Sequence, residues 1–86
     1  MARYTVSLSK RAQKQLDKLD DDVAEPILQA IEKLCDNPRP YGSKKLKGRN
    51  GYRIRIGDYR VIYEIMDSIL LVDVINLGHR KDIYEQ

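Results

Sequence analysis

The run Tyr-Arg-Ile-Arg-Ile-Gly-Asp-Tyr-Arg-Val-Ile-Tyr-Glu-Ile, residues 52–65, constrains the fold more than any other part of this chain. Two alternating segments rich in β-branched and aromatic residues flank Gly57-Asp58. A two-residue connection is the commonest hairpin turn, and glycine supplies the positive φ that it needs. Such a turn fixes the pairing. Ile56 faces Tyr59, Arg55 faces Arg60, Ile54 faces Val61, Arg53 faces Ile62, and Tyr52 faces Tyr63. Alternation then sends Tyr52, Ile54, Ile56, Tyr59, Val61 and Tyr63 to one face of the hairpin. Arg53, Arg55, Arg60, Ile62 and Glu64 go to the other. Like charges opposed across strands destabilise a sheet by up to about 1 kcal/mol per pair. A solvated structural face gains nothing from that cost, although long side chains lessen it by splaying into water. A face that binds anions gains a cluster of planar donors suited to phosphate oxygens.

The rest of the chain supplies layers for this hairpin to pack against. Residues 3–8 alternate and predict a short strand. Ser9 is placed to cap a helix, in which Ala12, Leu16 and Leu19 form one stripe running to about Asp20. Asp20, Asp21 and Asp22 form a turn and suit the positive end of a second helix. Pro26 is expected in the first turn of that helix. Val23, Ile27, Ile31 and Leu34 mark its buried stripe, flanked by Leu28 and Cys35, and Asn37-Pro38-Arg39-Pro40 ends it. Residues 41–51 read as a basic connector pinned by Leu46, its one aliphatic residue. Runs at 52–56, 59–65 and 69–77 predict three strands, and residues 78–86 a turn or a frayed helix. The expected fold is α+β in the order β-α-α-β-β-β. A two-helix hairpin packs on one face of a mainly antiparallel four-stranded sheet, and residues 1–86 form a single domain.

Charge is unevenly spread. The net charge of +3 conceals a segment, residues 39–60, with eight Lys/Arg and one Asp, between two segments that are net acidic. Concentrated positive charge attracts polyanions. The single cysteine, Cys35, has no disulfide partner within the chain and reads as a small buried residue. No Cys/His cluster suggests a metal. The longest aliphatic run, residues 69–72, is too short to span a bilayer, and the N-terminus lacks the apolar stretch of a secretory signal. The expected location is the cytoplasm, away from membranes. After the apolar strand comes a polar cluster with His79, the sole histidine and so a candidate proton-transfer group, and Tyr84, a candidate base-stacking residue.

The hairpin run at 52–65 and the ending Gly-His-Arg-Lys-Asp-Ile-Tyr at 78–84 resemble the RelE branch of the RelE/ParE toxin superfamily of bacterial toxin–antitoxin pairs. The Lys-Leu-Lys-Gly stretch at 45–48 and the order of elements fit as well. The resemblance implies a ribosome-dependent endoribonuclease that cuts messenger RNA in the ribosomal A site. The RNA's own 2′-hydroxyl attacks the adjacent phosphate, so no metal or other cofactor is needed. By match to the family pattern, Arg60 contacts the scissile phosphate, Arg80 is a second essential arginine, and Tyr84 stacks on or aligns the nucleotide. Arg53 and Arg55 occupy positions that are often lysine in relatives. Arginine is a poor base near neutral pH, so here these two offer charge and positioning. Base and acid work then falls to Tyr84, His79, Glu64 or a ribosomal group. Lys44, Lys45, Lys47, Arg49, His79 and Lys81 are expected to contact RNA. The expected partners are the ribosome, messenger RNA and a cognate antitoxin, with operator DNA bound only through the antitoxin. Two alternatives remain open: a ParE-like protein that inhibits DNA gyrase by binding, and a regulatory nucleic-acid-binding module without activity.

Overall fold

The computed structural model describes residues 3–48 and 50–83. Its elements are β1 (Thr5–Leu8), α1 (Lys10–Asp17), α2 (Asp21–Lys33), β2 (Lys44–Lys45), β3 (Gly51–Ile56), β4 (Tyr59–Met66), a 3-10 turn (Asp67–Ile69) and β5 (Leu71–His79). The strands form one sheet in the order β1-β5-β4-β3-β2. β1 runs parallel to β5, and the other neighbours are antiparallel. The sheet therefore has five strands rather than the expected four. The extra strand is the lysine pair of the basic connector, whose residue type gives no strand signal. Lys44 pairs with Arg53 and Lys45 with Tyr52, and the Leu46 N–H donates to the Gly51 carbonyl at 2.9 Å. Exposed lysines on this outer strand discourage further edge pairing.

Ser9 caps α1 as expected, its side chain accepting from the Ala12 N–H at 3.0 Å. The helix ends at Asp17, earlier than its apolar stripe suggests, and Leu19 is left half-buried in the connection. Pro26 lies inside α2, in its second turn and not its first. The carbonyl that loses its helical partner belongs to Asp22, an exposed residue in the first turn. One face of the sheet meets both helices. Ala12, Leu16, Ala24, Ile27, Ile31 and Leu34 pack there against Ile54, Val61, Tyr63, Ile65, Val72, Val74 and Leu77. Tyr63 is fully buried, and its hydroxyl donates to the Pro38 carbonyl at 2.7 Å. Burial pushes its pKa up to about 12.

Two irregularities shape β5. The strand starts only after the 3-10 turn, which closes on Leu70 in the left-handed region at φ 53°. Further along, Ile62 pairs with Asn76 while Tyr63 pairs with Val74, so Ile75 is an extra residue. This bulge explains why Val72, Val74 and Leu77 are all buried on the helix side despite their uneven spacing.

The opposite face of the sheet is partly covered too. Leu46 from the connector, Ile62 from β4 and Ile83 from the C-terminal turn form a small second cluster. Among the described residues no helix is long and apolar enough to cross a membrane.

Candidate nucleic-acid interface

The hairpin register agrees with the expected one at each pair, from Tyr52–Tyr63 to Ile56–Tyr59. Gly57 takes a positive φ of 59° in the connecting turn. Arg55 and Arg60 are therefore direct cross-strand partners on the face away from the helices. On the other side of β4, Arg60 is paired with Gly78 of β5. A side chain at position 78 would point to this same face, and a Cβ there would lie 3.2 Å from the Ile83 side chain. Glycine thus lets the chain after β5 fold back and seat Ile83 beside Ile62.

That return path brings in Arg80. Its backbone N–H donates to the Asp58 carbonyl in the hairpin turn at 2.7 Å. The Asp82 N–H donates to the His79 carbonyl at 2.8 Å and closes the turn. Arg55, Arg60 and Arg80, with Gly57, Asp58 and Tyr59, line a cleft of about 170 Å³. Arg55 and Arg80 are exposed and Arg60 is half-buried. Three arginines thus line one small concavity at the hairpin turn. Planar, permanently charged donors in such an arrangement stabilise negative charge as it builds on phosphoryl oxygens.

Other expected site residues fall elsewhere. Arg53 lies on the predicted face but is only 6% exposed, beside its cross-strand partner Ile62. The cluster of Leu46, Ile62 and Ile83 lies on this same face. Glu64 is on the same face, opposite Gly51 and Asp73, away from the hairpin turn. His79 pairs with Tyr59 on the helix-facing side, where the rings meet edge to face at 5.6 Å. Its Nδ1 accepts from the Lys81 N–H at 3.2 Å. The fold thus does not bring His79 into the arginine cleft. Lys44 and Lys45 are exposed on β2, and Lys47 and Lys81 are exposed in turns. Arg49 and Tyr84 lie outside the described residues.

Not all of the basic segment's charge is available to a ligand. Arg39 donates to Asp67 at 2.9 and 3.3 Å and to the Tyr52 hydroxyl at 3.1 Å. It also lies over the Tyr52 ring, and Tyr4 donates its hydroxyl to Asp67. The hydrogen bonds from Arg39 and then Tyr4 hold Asp67 below the usual carboxylate range, and the bond to Asp67 raises the pKa of Arg39. This network fastens the loop after α2 to the β4–β5 turn, at the end of the sheet away from Gly57. Sequence reasoning also missed the part played by Asp58 and Tyr59 in lining the cleft. Gly78, an isolated glycine near a strand end, did carry a local signal for the turn that follows it. Among the described residues, no group of three or more His, Cys, Asp or Glu side chains is placed to hold a metal ion.

Known proteins resemble this chain in sequence and in fold. A model of the family described as the ParE toxin of type II toxin–antitoxin systems matches residues 6–84. The chain is 32% identical over 87 residues to a RelE-like toxin protein of Escherichia coli, covering 95% of this chain and 90% of that one. It is 28% identical over 88 residues to the mRNA interferase toxin RelE of Escherichia coli K12, covering 96% and 92%. The crystal structure of the archaeal RelE–RelB complex from Pyrococcus horikoshii OT3 aligns with a TM-score of 0.82 and 29% identity, over 96% of this chain and 100% of that one. With its hairpin register, its two helices on one sheet face and these relatives along nearly its whole length, the chain belongs to the RelE/ParE superfamily of type II toxin–antitoxin toxins.

Proposed function

We propose that this protein is a ribosome-dependent endoribonuclease that halts translation by cutting messenger RNA in the ribosomal A site. The observation that carries this reading is the convergence of Arg55, Arg60 and Arg80 on one cleft. A relative named as an mRNA interferase supports the choice of RNA as substrate.

In the proposed reaction the 2′-hydroxyl of the RNA attacks the adjacent phosphorus. A bond forms from O2′ to phosphorus, and the bond from phosphorus to O5′ breaks. The 2′-proton passes to a base, and the leaving 5′-oxygen takes up a proton. The products are a 2′,3′-cyclic phosphate and a 5′-hydroxyl. The nucleophile belongs to the substrate, so the protein's task is to align the reacting atoms and stabilise the crowded, anionic phosphorane. Arg60, half-buried and central in the cleft, is assigned to the scissile phosphate. Arg80 and Arg55 flank it and neutralise equatorial oxygens. Arg53 is assigned a fixed charge behind the cleft in place of direct contact. Tyr84 is assigned to stacking on or aligning the nucleotide. Lys44, Lys45, Lys47, Arg49 and Lys81 would follow the flanking phosphates. Arginine remains a poor base, so proton transfer falls to Tyr84 or a ribosomal group.

The function places the protein in the cytoplasm with ribosomes. It also implies a cognate antitoxin whose acidic segment covers the basic face, and operator DNA would be engaged only through that partner. The solved relative in complex with RelB supports the antitoxin. The test is to map cleavage ends on ribosome-bound message. Wild-type protein should cut at the vacant A site without added metal, and Arg60→Ala and Arg80→Ala should each lose 100-fold or more, on the order of one essential oxyanion contact. Undiminished cutting by both variants would overturn the assigned roles. The matched family description, which names ParE, favours a second reading: inhibition of DNA gyrase by binding. Inhibited supercoiling by the purified protein, with no RNA cleavage, would replace the first reading with the second.

A further inference from the structure

β5 extends past its parallel neighbour. β1 stops at Leu8, opposite Val74, whereas β5 continues to His79. The bulge at Ile75 falls where that support ends. From there on, among the described residues, one edge of β5 has no strand beside it, yet this overhang carries the turn that presents Arg80.

Side chains at the start of α1 and within it take the place of the missing strand. The Ser9 N–H donates to the Val74 carbonyl at 2.9 Å, and the Ser9 hydroxyl donates to the Ile75 carbonyl at 2.7 Å. Gln15 holds the next residues with both ends of its carboxamide. Its Oε1 accepts from the Leu77 N–H at 2.9 Å, and its Nε2 donates to the Asn76 Oδ1 at 2.7 Å. A carboxamide used as both acceptor and donor mimics a peptide group, so Gln15 closes the ladder that β1 leaves open. Immediately beyond Leu77 come Gly78, which is paired with Arg60, and Arg80, which is tied to Asp58. A bulge exchanges side chains between faces, and a slip at Ile75 would turn Gly78 away from Arg60.

We infer that Gln15 is a positioning residue: it locks the bulged overhang of β5 and so sets where Arg80 sits relative to Arg55 and Arg60. The catalytic consequence rests on the proposed RNA cleavage, but the positional one does not. Small misplacements of a catalytic group cost up to about 100-fold in rate.

The experiment compares Gln15→Leu, which removes both bonds, with Gln15→Glu, which keeps the acceptor for Leu77 and can accept from a flipped Asn76 amide. Each is made in the wild-type and Arg80→Ala backgrounds. Amide hydrogen exchange reads position without any activity. In Gln15→Leu the Arg80 N–H should exchange at least tenfold faster, while the Val61 and Tyr63 amides in the centre of β4 stay within twofold of wild type. Gln15→Glu should restore protection. In the ribosome cleavage assay, Gln15→Leu should lower kcat about tenfold with KM within twofold, and this loss should vanish when Arg80 is already alanine. Unchanged Arg80 exchange in Gln15→Leu, failure of Gln15→Glu to restore it, or a cleavage loss that persists in full without Arg80 would overturn the inference. Altered exchange in a protein whose wild type does not cleave RNA would uphold the positional role and reject the enzymatic reading alone.

Discussion

The arginine cleft should store electrostatic stress, and Arg55→Thr measures it. Arg55 is exposed, so the substitution creates no cavity, and threonine suits a strand. In the wild type Arg55 opposes Arg60 directly, and Arg80 shares the cleft. Two unit charges about 7 Å apart in water repel by about 0.6 kcal/mol. With two such neighbours the stress relieved is about 1 kcal/mol at low ionic strength. In a domain of this size that raises Tm by about 4–8 °C. The assay is thermal unfolding followed by circular dichroism in about 10 mM and about 1 M sodium chloride, where the screening length falls from about 30 to 3 Å. The gain should appear at low salt and disappear at high salt. Inorganic phosphate at low ionic strength should stabilise the wild type more than the variant, because it binds the folded cleft and cancels the same repulsion. RNA binding should move the opposite way and weaken in the more stable variant. An unchanged or lowered Tm at low salt, or a gain that survives 1 M salt, would refute the argument that this face is strained by its charges.

Two predictions concern the scaffold behind the cleft. Tyr63→Phe removes the buried hydrogen bond to the Pro38 carbonyl and should cost about 1 kcal/mol in urea unfolding with an unchanged m value; a neutral effect would show that the bond does not fasten the loop. Asp67 is held below its usual pKa by Arg39 and Tyr4, so the unfolded chain binds its proton more readily. Its stabilisation is therefore complete above the ordinary carboxylate pKa of about 4 and is lost as the pH falls through the lower folded value. Asp67→Asn should flatten that part of the acid limb of the stability curve, and an unaltered acid limb would contradict the network.

The hairpin was legible because one turn of fixed length determines each pair along both strands, and the register placed Arg55 against Arg60 without further information. The two helices were legible through their stripes and the Ser9 cap. Ile75 shows where such reasoning stops. Residues 69–77 are largely aliphatic, so no alternation marks the bulged residue, and its pairing with β4 is what reveals it. β2 was hidden for the opposite reason: two lysines have little strand preference and pair only because β3 offers an edge. The small cluster on the face away from the helices joins Leu46 and Ile83, residues more than 35 positions apart that meet at Ile62, and local pattern carries no record of that meeting.

Arg53 and Arg55 illustrate how that tertiary cover divides a row of like charges into two kinds of group. They stand two residues apart on one strand and face, and sequence alone treats them as equivalent. In the folded chain Arg55 stays exposed at the cleft, while Arg53 is enclosed. A cation in a poorly solvated position exerts a stronger field on its surroundings than one in water. Lysine at position 53 would carry a compact charge whose pKa burial depresses, whereas arginine keeps its charge there at any physiological pH. The substitution therefore trades a potential proton acceptor for a group that stays charged. On this reasoning Arg53→Lys should leave the salt dependence of RNA binding nearly unchanged and introduce a new ionisation into the pH profile of cleavage. A parallel profile for Arg53→Lys and wild type would mean that Arg53 supports the sheet and contributes nothing to the field at the cleft.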